Sequence, residues 1–157
     1  MAAAALWMVV LVTAPVLPAW AAAPVYAVGS LICHQLPDRS FHLDGAQLPV
    51  CARCLGIYMG AALALAAAAA SPRRLRMHAT GWFTARIVLL LGAVPTGVTV
   101  LLEWSGVWRS SNVARAWAGA PLGVAVALVL ATAVATLHYE RCARRRPAES
   151  SLPPSPI

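Results

Sequence analysis

Four long apolar stretches, at 2–32, 55–70, 87–102 and 118–137, leave this chain few folds to choose from. A helix crossing the hydrocarbon core of a bilayer needs about 20 apolar residues, within a range of roughly 17–25. The second and third stretches hold 16 residues each. They reach spanning length if their helices start earlier, near Val50 and near Trp82. The chain is 61% hydrophobic and 11% charged, whereas soluble domains are about 25% charged. That leaves too little polar surface to cover a globule in water. The expectation is an all-α, polytopic helical membrane protein: one integral membrane domain over 1–146 with four transmembrane helices near 5–32, 50–70, 82–102 and 118–138.

A net charge of +7 invites a nucleic-acid reading, but the placement of the charge excludes it. All 12 basic residues are arginine. Eight sit in two clusters beside apolar runs: Arg73, Arg74, Arg76 and Arg86, then Arg141, Arg144, Arg145 and Arg146. Arginine gathered at helix ends marks cytoplasmic loops. The 33–54 and 103–117 loops carry two arginines each. Four helices put these two loops on one side and both termini on the other. The expected placement is a multi-pass protein of the cell (inner) membrane, both termini cytoplasmic and the 33–54 loop outside. No nucleic-acid partner is needed; the lipid bilayer is the partner this composition demands.

The first 23 residues also have the look of a signal peptide, with an apolar region over Leu6 to Leu17 and a small-residue site at Ala21-Ala22-Ala23. No Lys or Arg precedes it, and an uncleaved first helix is the expectation, bent or broken by Pro15, Pro18 and Pro24. Gly56-x-x-x-Gly60 opens the second helix and Gly119-x-x-x-Gly123 the fourth. Small residues four apart let two helix backbones approach closely, so these two should meet. Pro95 marks a kink in the third helix. Trp82, Trp104, Trp108 and Trp117 stand where indole anchors belong, and His78 and His138 where interfacial water does. Residues 147–157 form a tail of disorder-like composition.

Chemistry concentrates in the 33–54 loop. Cys33-His34 and Cys51-x-x-Cys54 place three thiols and an imidazole within 22 residues. Two thiols at CxxC spacing can close a disulfide or chelate one ion. A helix N-terminus, with Arg53 beside it, lowers a thiol's pKa and favours the thiolate that ligates or attacks. Cys33, His34, Cys51 and Cys54 make up a Cys3His set, a standard tetrahedral complement for zinc or another transition ion. Adjacent side chains such as Cys33 and His34 diverge on a helix, so a turn must separate them; His42 is the substitute ligand. Two other readings stay open: a redox dithiol of Cys51 and Cys54, and a structural disulfide with a spare thiol.

The arginines of the same face supply a second candidate site. Arg39, Arg53 and Arg115 lie near the hydrocarbon boundary, and Asn112 shares a helix face with Arg115 at i, i+3. An arginine there must pair or bind a ligand. Asp38, Asp44 and Glu103 are the candidate internal partners. The alternative is a pocket of Arg39, Arg53, Asn112 and Arg115 for the phosphate or carboxylate of an anionic lipid or small molecule, which the planar guanidinium fork suits. Glu103, acidic and at an outer helix end, is also a candidate proton acceptor.

The run Cys33-His34-Gln35-Leu36-Pro37-Asp38-Arg39-Ser40-Phe41, then Gly45, then Pro49-Val50-Cys51-Ala52-Arg53-Cys54-Leu55-Gly56-Ile57-Tyr58-Met59-Gly60 resembles the bacterial and archaeal membrane family known as domain of unknown function 2085. Its pattern is CHQ, RSF and a C-A-R-C-x-G-I-Y-x-G block, and Asn112 to Gly119 resembles its second, weaker block. The resemblance implies a membrane fold and candidate site positions; it implies no activity. Three functional readings follow. The first is a metal-binding membrane protein using Cys33, His34, Cys51 and Cys54. The second is a thiol–disulfide oxidoreductase passing electrons from Cys51 and Cys54 to a quinone. The third is a structural or transport protein with a disulfide staple.

Overall fold

The computed structural model describes residues 2–70 and 82–145. The basic 71–81 loop and the 146–157 tail lie outside them. Helix α1 (Ala2–Thr13) leads through a 3-10 turn (Ala14–Val16) to α2 (Ala19–Ile32). A second 3-10 turn (Pro37–Arg39) precedes strands β1 (Ser40–Leu43) and β2 (Ala46–Cys51). Three long helices follow: α3 (Ala52–Ala70), α4 (Trp82–Trp104) and α5 (Asn112–Arg145).

The helix expected over 5–32 is therefore two helices. Pro15 and Pro18 sit at the break. Proline has no N–H for the helix ladder and pushes the residue before it out of the α region; Leu17 is extended, at φ −79° and ψ 153°. The two pieces have 12 and 14 residues, about 18 and 21 Å at 1.5 Å per residue. Neither matches a hydrocarbon core of about 30 Å. Three helices among the described residues are long and apolar enough to cross a membrane: Ala52–Ala70, Phe83–Trp104 and Asn112–His138. Many of their large apolar side chains, such as Leu90, Leu101, Leu130 and Val134, are exposed, as a lipid-facing surface requires.

Helix α5 begins at Asn112, earlier than the expected 118. Ser111 caps it: its hydroxyl accepts from the Ala114 amide at 3.2 Å and its carbonyl from the Arg115 amide at 3.0 Å. The early start puts Asn112 and Arg115 on the first turn. Helix α4 runs unbroken through Pro95, and Thr96 Oγ1 donates to the Ala118 carbonyl of α5 at 2.8 Å.

The closest packing in the molecule joins α3 to α5. A Cβ added to Gly56 or Gly60 would collide with the carbonyl oxygen of Ala116 or Ala120; one added to Gly119 or Gly123 would collide with that of Arg53 or Ile57. The two GxxxG stripes thus meet face to face, as expected.

The 33–54 segment is more than a loop. Strands β1 and β2 pair antiparallel, Ser40 opposite Cys51 and Leu43 opposite Ala46, with an irregularity between Ser40 and His42. Asp44 and Gly45 turn the hairpin with φ of 50° and 82°, the left-handed pair of a two-residue type I′ turn. An otherwise all-helical protein therefore carries a small sheet at one end.

Candidate metal centre

Three elements converge on the thiols. Cys33 ends α2, Cys51 ends β2, and Cys54 lies in the first turn of α3. Their Sγ atoms all lie within 4.8 Å of one another. The Cys51 amide donates to Cys33 Sγ at 3.1 Å, so the strand end and helix end are joined through sulfur. Leu11 and Val50, both fully buried, pack with Cys33 in an apolar cluster that Cys51, Cys54, Leu55 and Tyr58 flank. Helix α1 contributes Trp7, edge-on to Tyr58 with ring centroids 6.5 Å apart.

Two glutamines hold this geometry. Gln35 has φ +47°, a left-handed conformation unusual for a residue with a side chain. It reverses the chain just after Cys33. Its Nε2 donates to the Tyr26 carbonyl at 2.9 Å and the Pro49 carbonyl at 2.7 Å. Gln47 Nε2 donates to the Gln35 carbonyl at 2.6 Å and to Ser40 Oγ at 3.2 Å. Tyr26 donates its hydroxyl proton to the Gln47 carbonyl. Helix α2 and strand β2 are thereby clamped together, and the clamp sets Cys33 against Cys51. Sequence reasoning assigned neither glutamine a part. The available signal was Gln35 following Cys-His directly.

The expected fourth ligand stands apart. Cys33 has extended backbone, φ −144° and ψ 140°, so the next side chain points the other way. His34 is exposed and outside the three-thiol group, and so is the substitute ligand His42 on β1. His34 does line the same cavity as the thiols.

Cys51 lies beyond the end of the spanning helix. Its thiol is pulled down to about 5. The Cys54 side chain donates to its sulfur, and burial opposes; the Cys54 amide, Cys33 and the Arg53 amide add to the lowering. A thiolate is the form that binds metal and attacks disulfides. Three sulfurs bound to one tetrahedral ion at 2.3 Å would stand about 3.8 Å apart, a spacing that the observed grouping accommodates. The donor set therefore fits a thiophilic ion.

Beside the thiols lies an ion network. Glu103, at the end of α4, accepts from Arg115 Nε at 2.8 Å and meets Arg53 Nη2 at 3.5 Å. Its side chain is 7% exposed. Arg53 also reaches Thr99 at 3.4 Å. Arg115 Nη1 donates to Asn112 Oδ1 at 2.8 Å and to the Asp38 carbonyl at 3.2 Å. Asn112 Nδ2 donates to the Ser40 carbonyl at 2.9 Å. These contacts tie the hairpin segment to the 105–111 connection and the start of α5, so the two loops expected on one face do share it. Of the expected internal partners, Glu103 is the one that pairs. Arg53, Asn112 and Arg115 come together around it. Arg39 stays outside the network and lines the cavity of about 310 Å³ that the thiols, Arg53 and Arg115 also line.

Fold and site together define an all-α membrane protein with a three-thiol centre at one end of its bundle. The family described as a predicted membrane protein, DUF2085, matches residues 33–129, and the chain belongs to that family. An uncharacterised protein of Methanothermobacter thermautotrophicus is 36% identical over 100 residues, covering 62% of this chain and 83% of its own. An uncharacterised protein of Methanocaldococcus jannaschii is 64% identical over 36 residues, and the chain spans 23% of that relative's length. No solved structure matches.

Proposed function

We propose that this membrane protein binds one thiophilic metal ion, zinc or a related transition ion, through Cys33, Cys51 and Cys54. The observation that carries this reading is the mutual approach of three sulfurs from three separate elements, within 4.8 Å. A disulfide uses two sulfurs; the clamp of Gln35 and Gln47 brings a third to the same point. The fourth position belongs to His34 in a Cys3His centre, or to a ligand in the cavity that His34 also lines. We further propose that this end of the bundle faces outward, because the arginine-rich 71–86 and 138–147 segments favour the cytoplasm. The second reading, dithiol exchange at Cys51 and Cys54 with a quinone as acceptor, is supported by their CxxC placement at the β2–α3 junction.

Elemental analysis of the purified full chain, with a thiol count on the same sample, tests the first reading. One equivalent of metal is expected. Cys33→Ser, Cys51→Ser and Cys54→Ser should each abolish it, and His34→Ala should weaken it by a smaller amount. Metal occupancy should fall as pH drops, since protons compete for the sulfurs. Folded, metal-free protein holding a Cys51–Cys54 disulfide would instead support the quinone reading.

A further inference from the structure

The arginines around the thiols outnumber the carboxylates that could neutralise them. Arg39, Arg53 and Arg115 line one cavity with the three cysteines. Glu103 is the one carboxylate in an ion pair with any of them among the described residues, and Arg53 and Arg115 share it. Arg39 is in no ion pair among the described residues. Arg53 Nε is buried with no hydrogen-bond partner, and a buried donor left unmet costs about 1–3 kcal/mol. The set therefore carries two surplus positive charges. Three thiolates on a divalent ion would return one negative charge and leave one cation still uncompensated. A cavity of about 310 Å³ is far larger than a metal ion needs. Part of its remaining wall is apolar, from Ile32, Leu36 and Ile57.

We infer that the cavity binds a phosphate group, held by the guanidinium groups of Arg39, Arg53 and Arg115. Guanidinium forks match phosphate oxygens bidentately and keep their charge at any accessible pH. The group can belong to free phosphate or to a lipid headgroup, whose hydrocarbon the apolar wall would accept. The phosphate stands beside the thiol centre. Only the idea that it could supply the ion's fourth ligand rests on the metal reading; its capture by the arginines does not.

The test uses the full chain in a zwitterionic detergent, titrated with inorganic phosphate and, separately, with short-chain phosphatidylglycerol. Binding is read from phosphorus-31 line broadening and from the melting temperature. Saturable binding is expected from at least one probe. Arg39→Gln should weaken it about tenfold, the loss of one charge-assisted bond, and Arg39→Lys should recover part of that. Arg39 is exposed and outside the Glu103 network, so both variants should melt, unliganded, like the parent. Saturation by phosphate points to a free anion; saturation by phosphatidylglycerol alone points to a headgroup. Failure of both probes, or equal binding by the parent and Arg39→Gln, would overturn the inference. Metal analysis on the same samples separates the two readings. Metal without phosphate binding removes this one and leaves the metal centre; phosphate binding without metal does the reverse.

Discussion

The seam between α3 and α5 and the cap built on its end are held together in opposite ways. Along the seam there is almost no side-chain chemistry. Gly56, Gly60, Gly119 and Gly123 let backbone rest on backbone, and dispersion between close-packed atoms does the rest. In the cap, little is regular. A short hairpin, two 3-10 turns and a left-handed Gln35 are held by amide and guanidinium groups reaching backbone carbonyls. The seam tolerates no added atom; the cap depends on particular polar atoms. The difference follows from environment. In lipid an unsatisfied backbone group costs several kcal/mol, so irregular chain survives only where side chains satisfy it.

Substitution can break this comparison, beginning with the seam. Gly123→Leu should force α3 and α5 apart and cost about 3 kcal/mol, at the upper end for overpacking. Loss of a monodisperse peak in detergent chromatography, or a large fall in melting temperature, is the expected result; a parent-like melt would remove the backbone-contact account. Glu103→Gln removes the one carboxylate between Arg53 and Arg115. Breaking a buried pair costs 3–5 kcal/mol, but these arginine side chains are 16% and 11% exposed. A loss of about 2 kcal/mol is therefore expected, with the seam still folded as judged by helical circular dichroism.

Gln35→Ala should cost about 1–2 kcal/mol, for two buried carbonyls left without their donor. Its sharper signature is local: Cys33 should become more reactive toward alkylating reagents while helix content stays unchanged. Unchanged Cys33 reactivity would refute the glutamine clamp. Gly97→Ala in α4 gives the smallest effect and opposite sign. A Cβ there meets nothing within 4 Å, so alanine should stabilise the helix by about 0.5–1 kcal/mol. A destabilising result would show that glycine is needed beyond the α3–α5 seam.

Apolar length and arginine placement were enough, from the sequence, for an all-α membrane fold, and GxxxG spacing was enough for the α3–α5 contact. Both depend on local composition and on helical period, which a linear chain displays directly. The three thiols were also legible, because Cys33, Cys51 and Cys54 stand alone in a chain otherwise poor in reactive side chains. The hairpin was missed although Asp44-Gly45 is its turn signal; the metal-ligand spacing drew the reading of that segment towards a plain loop. The break at Pro15 and Pro18 was foreseeable in kind, but its consequence was not: two helices too short to span, one of them packed on the hairpin.

What only the tertiary structure decided is which neighbours share a point in space. Cys33 and His34 are adjacent in sequence, yet extended backbone sends their side chains apart and leaves the imidazole outside the sulfur group. Arg53 and Arg115 are 62 positions apart, yet they share Glu103. Periodicity assigns a residue to a face, but these meetings depend on where three separate chain segments cross. That is set by the seam that no Cβ can enter and by the polar clamps that fold the cap over its end.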